Sequence, residues 1–268
     1  MIGGAFHAAK ATYYRTKGDL DEALEAVDQF FDDESIELEE ESQRATLIRR
    51  TRSMMSSWAG SHGFKDFRRY EILGIEKYVE VPVPGLPSFV FTGRLDLLVR
   101  DRETKLVSIL DSKTSGYSIT LTADGVLYGD QATAYVWLGS ELLGERISSF
   151  IPDITYWSRN STDVSKILNS RPIVVLRTDE DVVGFKLGIA QLFSEIAQKT
   201  AALSQGSDPR QLFRRNTHYC ISYGHVCEFA DECRSRRILR GESSSLFKKG
   251  KGHPLGDLGK HVTDRMAI

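Results

Sequence analysis

The residues with most chemical consequence are Asp111-Ser112-Lys113, at the end of the apolar run Ile109-Leu110, together with Gly93-Arg94-Leu95-Asp96 upstream. Side chains alternate along a strand, so Asp111 and Lys113 point the same way. An acid and an amine on one face at a strand end make either a metal site with a positioned cation or a solvated ion pair. Asp-x-Lys alone favours the ion pair. Register supplies a sharper expectation. If Arg100 pairs with Lys105 across the turn, Asp96 faces Ile109 and Asp111 is its diagonal neighbour, with α-carbons about 7–8 Å apart. Two carboxylates so placed on one face converge on a hard divalent cation, whereas a slip by one residue would put them on opposite faces. With Mg²⁺ or Mn²⁺ held by Asp96, Asp111 and the Ser112 carbonyl, a bound water would ionise more readily and a phosphodiester would be polarised. Lys113 would orient that water or offset charge on the phosphate.

The surrounding pattern says which elements must deliver these groups. Residues 3–16, 20–32 and 41–60 read as helices, the first two broken at Gly18-Asp19. Residues 70–83 and 88–100, rich in Val, Ile, Phe and Tyr, read as strands joined through Pro84-Gly85-Leu86-Pro87, and residues 105–113 as a third strand. A helix is expected over 127–143, strands over 150–158 and 172–177, and a long amphipathic helix over 179–203. That helix would turn Val183, Leu187, Leu192, Phe193 and Ile196 to the core. This order predicts an α/β fold with a mixed central sheet flanked by helices.

In order along the chain stand Gly3 to His7 on a helix, Glu76 on a strand, Gly93 to Asp96, Asp111 to Lys113, and Gln131 to Tyr135 on a helix. The series resembles the RecB-like branch of the PD-(D/E)XK nuclease superfamily, across roughly residues 3–235. The resemblance implies a restriction-endonuclease-like core and a metal-dependent DNase, an exonuclease of recombination, repair or phage DNA processing. It implies that His7 joins Asp96, Asp111 and the Ser112 carbonyl as a metal ligand, and that Glu76 assists there. It also implies that Gln131 and Tyr135, one helical turn apart, position Lys113 or the substrate phosphate. DNA ends or single strands would be the partner, with any helicase or recombination protein a separate chain.

The 268 residues are 41% hydrophobic and 27% charged, ordinary for a globular protein, and no apolar run reaches membrane-spanning length. No secretory signal is visible, so a cytoplasmic location is the expectation. The net charge is −2, but residues 209–268 hold 12 Lys/Arg against 6 Asp/Glu, leaving the rest at −8. A basic C-terminal quarter could follow a phosphate backbone, while residues 241–268 by themselves read as a basic flexible tail.

Cys220, Cys227 and Cys233 form a tight cluster of odd number, which reads as metal ligation before disulfides. With Phe213 to Asn216 and Tyr223-Gly224 they resemble the C-terminal iron–sulfur segment of some members of the branch. In those members a fourth cysteine precedes the Gly-x-x-x-His helix and a [4Fe–4S] cluster joins the two ends. This sequence has no cysteine before His7. Either its start is shorter than in relatives or the fourth ligand differs, and His218 or His225 would complete a Cys₃His zinc site. The expected organisation is a helical part at 1–66 carrying His7, a nuclease core at 67–204, a cysteine segment at 205–240 and the tail. The rival expectation is a non-catalytic DNA-binding or scaffold module that keeps the nuclease fold.

Overall fold

A computed structural model describes residues 1–32, 41–147, 149–158, 166–212, 221–222 and 225–226. The three cysteines lie outside these residues, and so does the tail.

Helices α1 (Ile2–Arg15), α2 (Leu20–Asp32) and α3 (Glu41–Trp58) open the chain. A single π-helical turn, Ala59–Gly63, leads into the short α4 (Phe64–Arg69). Strands β1 (Tyr70–Val83), β2 (Leu86–Asp101) and β3 (Val107–Ser115) follow. The helix expected at 127–143 is two: α5 (Ile119–Tyr128), capped by the Ser118 side chain, and α6 (Gln131–Leu143). Gly129 adopts an extended conformation between them and breaks the run. Then come β4 (Ser149–Tyr156), β5 (Leu168–Ser170), β6 (Val175–Leu176) and α7 (Asp179–Ser204). A short α8 (Pro209–Leu212) and the two-residue strands β7 (Ile221–Ser222) and β8 (His225–Val226) complete the described elements.

The sheet runs β1-β2-β3-β4-β5, with β6 also on β4. β3 and β4 are parallel, whereas β2–β3 and β4–β5 are antiparallel, so the sheet is mixed as expected. The parallel pair requires a crossover, which α5 and α6 provide. Helices cover both faces. Phe6, Tyr13, Met54, Met55 and Trp58 pack with Leu97, Val99, Leu110 and Ile151 on one side. Val136, Trp137 and Leu138 pack with Leu95, Leu98, Ile109 and Phe150 on the other.

Residues 1–82 and 90–187 form one compact unit, so the N-terminal helices and most of the sheet belong together. Residues 83–89 and 188–268 are assigned to a second unit, in which Phe89 meets Phe193 edge-on at 5.4 Å. The expected inward face of α7 is corrected. Val183, Leu187, Leu192 and Ile196 are exposed, and α7 buries no residue. Its half-buried apolar positions are Val182, Phe185, Ile189 and the expected Phe193, and Phe185 meets Phe91 and Trp137. Aromatic packing sets the helix's rotation, a choice that apolar spacing alone does not make.

The β2–β3 register also differs from expectation. Arg100 pairs with Val107, two residues beyond the predicted partner. Asp101 is the reason. Its Oδ1 accepts the Glu103 and Thr104 N–H groups, its Oδ2 accepts from Arg69 Nε, and Lys105 takes a left-handed φ of 62°. This turn chemistry favours a longer loop. A shift of two residues preserves side-chain parity, so the faces are unchanged.

These bonds hold the Asp101 carboxyl at a pKa of about 2, below its ordinary value, through the Thr104 N–H and Arg69. A depressed carboxylate stabilises the fold above its unfolded pKa and loses that effect as pH falls through the folded one. Asp101→Asn is expected to destabilise the chain by about 1–2 kcal/mol at neutral pH. In urea titrations the difference should vanish between about pH 4 and pH 2.

Candidate metal and phosphate site

The site forms where the alternation of β2 fails. Leu95 and Leu97, two residues apart, pack on opposite faces of the sheet, although a regular strand would put them on one. The break falls at Asp96, and the β2–β3 ladder runs from Arg100 only as far as Leu97. There the Asp96 Oδ2 accepts the Ser112 N–H at 2.8 Å. A side chain thus replaces a backbone acceptor, as at a bulge. The residue is held on its other side as well: the Ser112 carbonyl accepts from His7 Nε2 at 2.7 Å.

His7 reaches the gap from α1, with its Nδ1 3.3 Å from Asp96 Oδ2. Glu76 comes from β1 with a φ of 49°, the left-handed region, which costs a side-chain-bearing residue about 1–3 kcal/mol. Donor atoms of His7, Glu76 and Asp96 all lie within 4.8 Å of one another. One nitrogen and two carboxylates, beside a carbonyl, fit a hard divalent ion with some tolerance for imidazole, such as Mn²⁺ or Mg²⁺.

Asp111 lies beside this group, and its carboxyl feels the Asp96 charge. β3 keeps an unbroken ladder with β4, while Asp96 turns toward His7 of α1. Asp111 is not among the mutually close donors. It is 1% exposed, and its Oδ2 meets Lys113 Nζ at 2.5 Å in a charge contact without hydrogen-bond alignment. Burial pushes its carboxyl well above the ordinary range, against the Lys113 charge, and Asp96 adds to the rise. The two acids therefore sense each other across the gap.

Burial likewise raises Glu76, with Asp96 adding to it and Arg94 and Arg15 opposing. Burial lowers His7, against the pull of Asp96, and so favours the neutral imidazole that ligates metals. Tyr135 is raised by burial, against a hydrogen bond from Gln131, and the charges of Asp111, Asp96 and Glu76 all reach it. Gln131 and Tyr135 thus share one face of α6 beside the site. Gly93 makes this approach possible, since a Cβ there would stand 2.5 Å from Leu138 Cδ1.

Residues that sequence reasoning passed over hold α1 in place. Lys10 Nζ bonds Asp153 Oδ2 at 2.7 Å, and the same oxygen accepts from Trp58 Nε1 at 2.8 Å and Arg171 at 3.0 Å. Arg171 forks onto both oxygens of Asp66, which also accepts the Tyr14 hydroxyl. Burial would raise Asp153, but Lys10 and Arg171 outweigh it and hold the carboxyl well below its ordinary value. Removing one member of such a buried group costs about 3–5 kcal/mol. There was a signal to find. Lys10 follows His7 by three residues on a face made of Ala9, Phe6 and Tyr13, and Asp153 interrupts an apolar strand. Either charge needed a partner.

No family model matches the chain, and no curated protein does. Among solved structures it is similar to "Crystal structure of SSO0001", at 16% identity and a TM-score of 0.30, covering 71% of this chain and 74% of that one. That likeness is too low to bear on fold or activity.

The strained Glu76 gives a test of the donor set. Glu76→Gly is expected to stabilise the fold by about 1 kcal/mol through relief of the left-handed backbone. The same change should weaken Mn²⁺ binding at least tenfold in an electron paramagnetic resonance titration. A variant that is destabilised and binds Mn²⁺ normally would remove Glu76 from the site.

Proposed function

We propose that this chain is a Mg²⁺- or Mn²⁺-dependent deoxyribonuclease of the PD-(D/E)XK type, RecB-like branch, with a restriction-endonuclease-like core. The observation that carries the proposal is the gathering of His7, Glu76, Asp96 and the Ser112 carbonyl at the β2–β3 gap, with Lys113 and Tyr135 alongside. Five elements supply those groups, and a solvated Asp111–Lys113 ion pair at a strand end would need only one of them.

A divalent ion bound there would supply Lewis-acid polarisation of the phosphate and a more acidic water. The chain's own residues do the rest. His7, Glu76, Asp96, Asp111 and the Ser112 carbonyl would hold the ion, and Asp111 would also keep Lys113 aimed. Lys113 orients the attacking water and offsets charge on the phosphate. Gln131 and Tyr135 hold Lys113 or a phosphate oxygen. Hydrolysis needs no covalent intermediate with the protein.

DNA ends or single strands in recombination, repair or phage DNA processing are the proposed substrates, in a cytoplasmic setting, with any helicase a separate partner. No helix among the described residues is long and apolar enough to cross a membrane. A [4Fe–4S] cluster or zinc on Cys220, Cys227 and Cys233 belongs to the same proposal, and those cysteines lie outside the described residues.

Asp111→Ala is expected to lower Mn²⁺-dependent cleavage of linear DNA by at least a thousandfold while changing DNA affinity less than threefold, since catalytic groups act mainly on the transition state. Cleavage that persists in highly purified Asp111→Ala protein would overturn the nuclease assignment.

A further inference from the structure

We infer that the open groove beside the His7–Glu76–Asp96 donors is the path of one strand of DNA, with Arg15 and Arg94 gripping its phosphates; this rests on the nuclease reading. The groove encloses about 910 Å³. Its floor is a face of α1 on which Gly3, His7, Ala11 and Arg15 form one row, with Gly4, Ala8 and Thr12 beside it. From Gly3 to Arg15 the helix extends about 18 Å. Along that length His7 is the first large side chain and Arg15 the last, which leaves a trench with the metal donors in its floor.

The recess selects for a single strand. The side chains of His7, Glu76 and Asp96 are 32%, 20% and 13% exposed, so a scissile phosphate must descend below the rim to reach them. A single strand can bend into such a trench, whereas the paired backbone of a duplex is held at its own diameter. Phe30, half-buried in the wall, offers a ring for base contact, and aromatic faces in a basic groove are how single strands are held without sequence preference.

The two lining cations are placed for phosphate. Arg94 Nε is 3.7 Å from Glu76 Oε2, beyond hydrogen-bond length, and its side chain is 67% exposed. A loose, solvated pair of this kind contributes little and is readily exchanged for a bidentate phosphate contact. Arg15 is exposed at the end of α1, and its charge also reaches Glu76.

The test is fluorescence anisotropy of a labelled oligothymidylate on the full chain, in a chelator to prevent cleavage, across a salt series. Arg15→Gln and Arg94→Gln should each reduce the slope of log affinity against log salt by about 0.7, and the double variant by about 1.4. Arg146→Gln, whose partner is Asp179, should leave the slope unchanged. An unchanged slope in the double variant overturns the inference, and so does tighter binding of a blunt duplex than of the strand. Mn²⁺ titration and cleavage assays on the same proteins separate the two readings. Slope losses without any Mn²⁺-dependent cleavage would keep the groove as a strand-binding site and sink the nuclease. Normal cleavage with wild-type slopes would do the reverse.

Discussion

The site depends on one substitution in hydrogen bonding: the Asp96 carboxylate takes the Ser112 N–H that a neighbouring backbone carbonyl would take in a regular ladder. A buried N–H must have an acceptor, so the sheet can part here only because a side chain supplies one. Once parted, the strands leave the Ser112 carbonyl turned to His7 and the Asp96 side chain turned to α1. The same bond that ends the ladder therefore creates two of the donors.

Holding that geometry has a structural cost, and the buried charges behind α1 meet it. Lys10, Asp153, Arg171 and Asp66 join helices α1 and α4 to strand β4 and the segment after β5. Two cations and two anions balance, and the bidentate Arg171–Asp66 pair gives the group a fixed orientation. An apolar cluster of equal volume could stabilise the fold as well. It would not fix the rotation of α1, and His7 stands only one turn from Lys10.

Electrostatics in the gap point the same way. Glu76 and Asp111 are both raised by burial and by Asp96, so the acids are crowded beyond what the arginines and Lys113 offset. Crowded carboxylates with a neutral imidazole beside them are the situation that a divalent cation relieves. Glu76 adds a strained backbone to this account, and such strain persists where surrounding structure imposes it.

Much of the fold was legible in local pattern. Apolar alternation marked the long strands, and Gly and Pro marked their joints. The series from His7 to Tyr135 named the groups that the structure gathers near one gap, because strand and helix periods decide which residues share a face. What local pattern leaves open is how faces are rotated against one another. Asp101 lengthened the β2–β3 turn through side-chain hydrogen bonds, and a stack of Phe91, Trp137 and Phe185 rotated α7. By itself the sequence determined the elements, their order and the chemistry within their reach. Only the tertiary structure decided that Asp96 accepts the Ser112 N–H and turns to His7, with Glu76 held in a left-handed backbone beside them, because that arrangement follows from a break in one strand's alternation, which contacts between distant elements impose and no periodicity records.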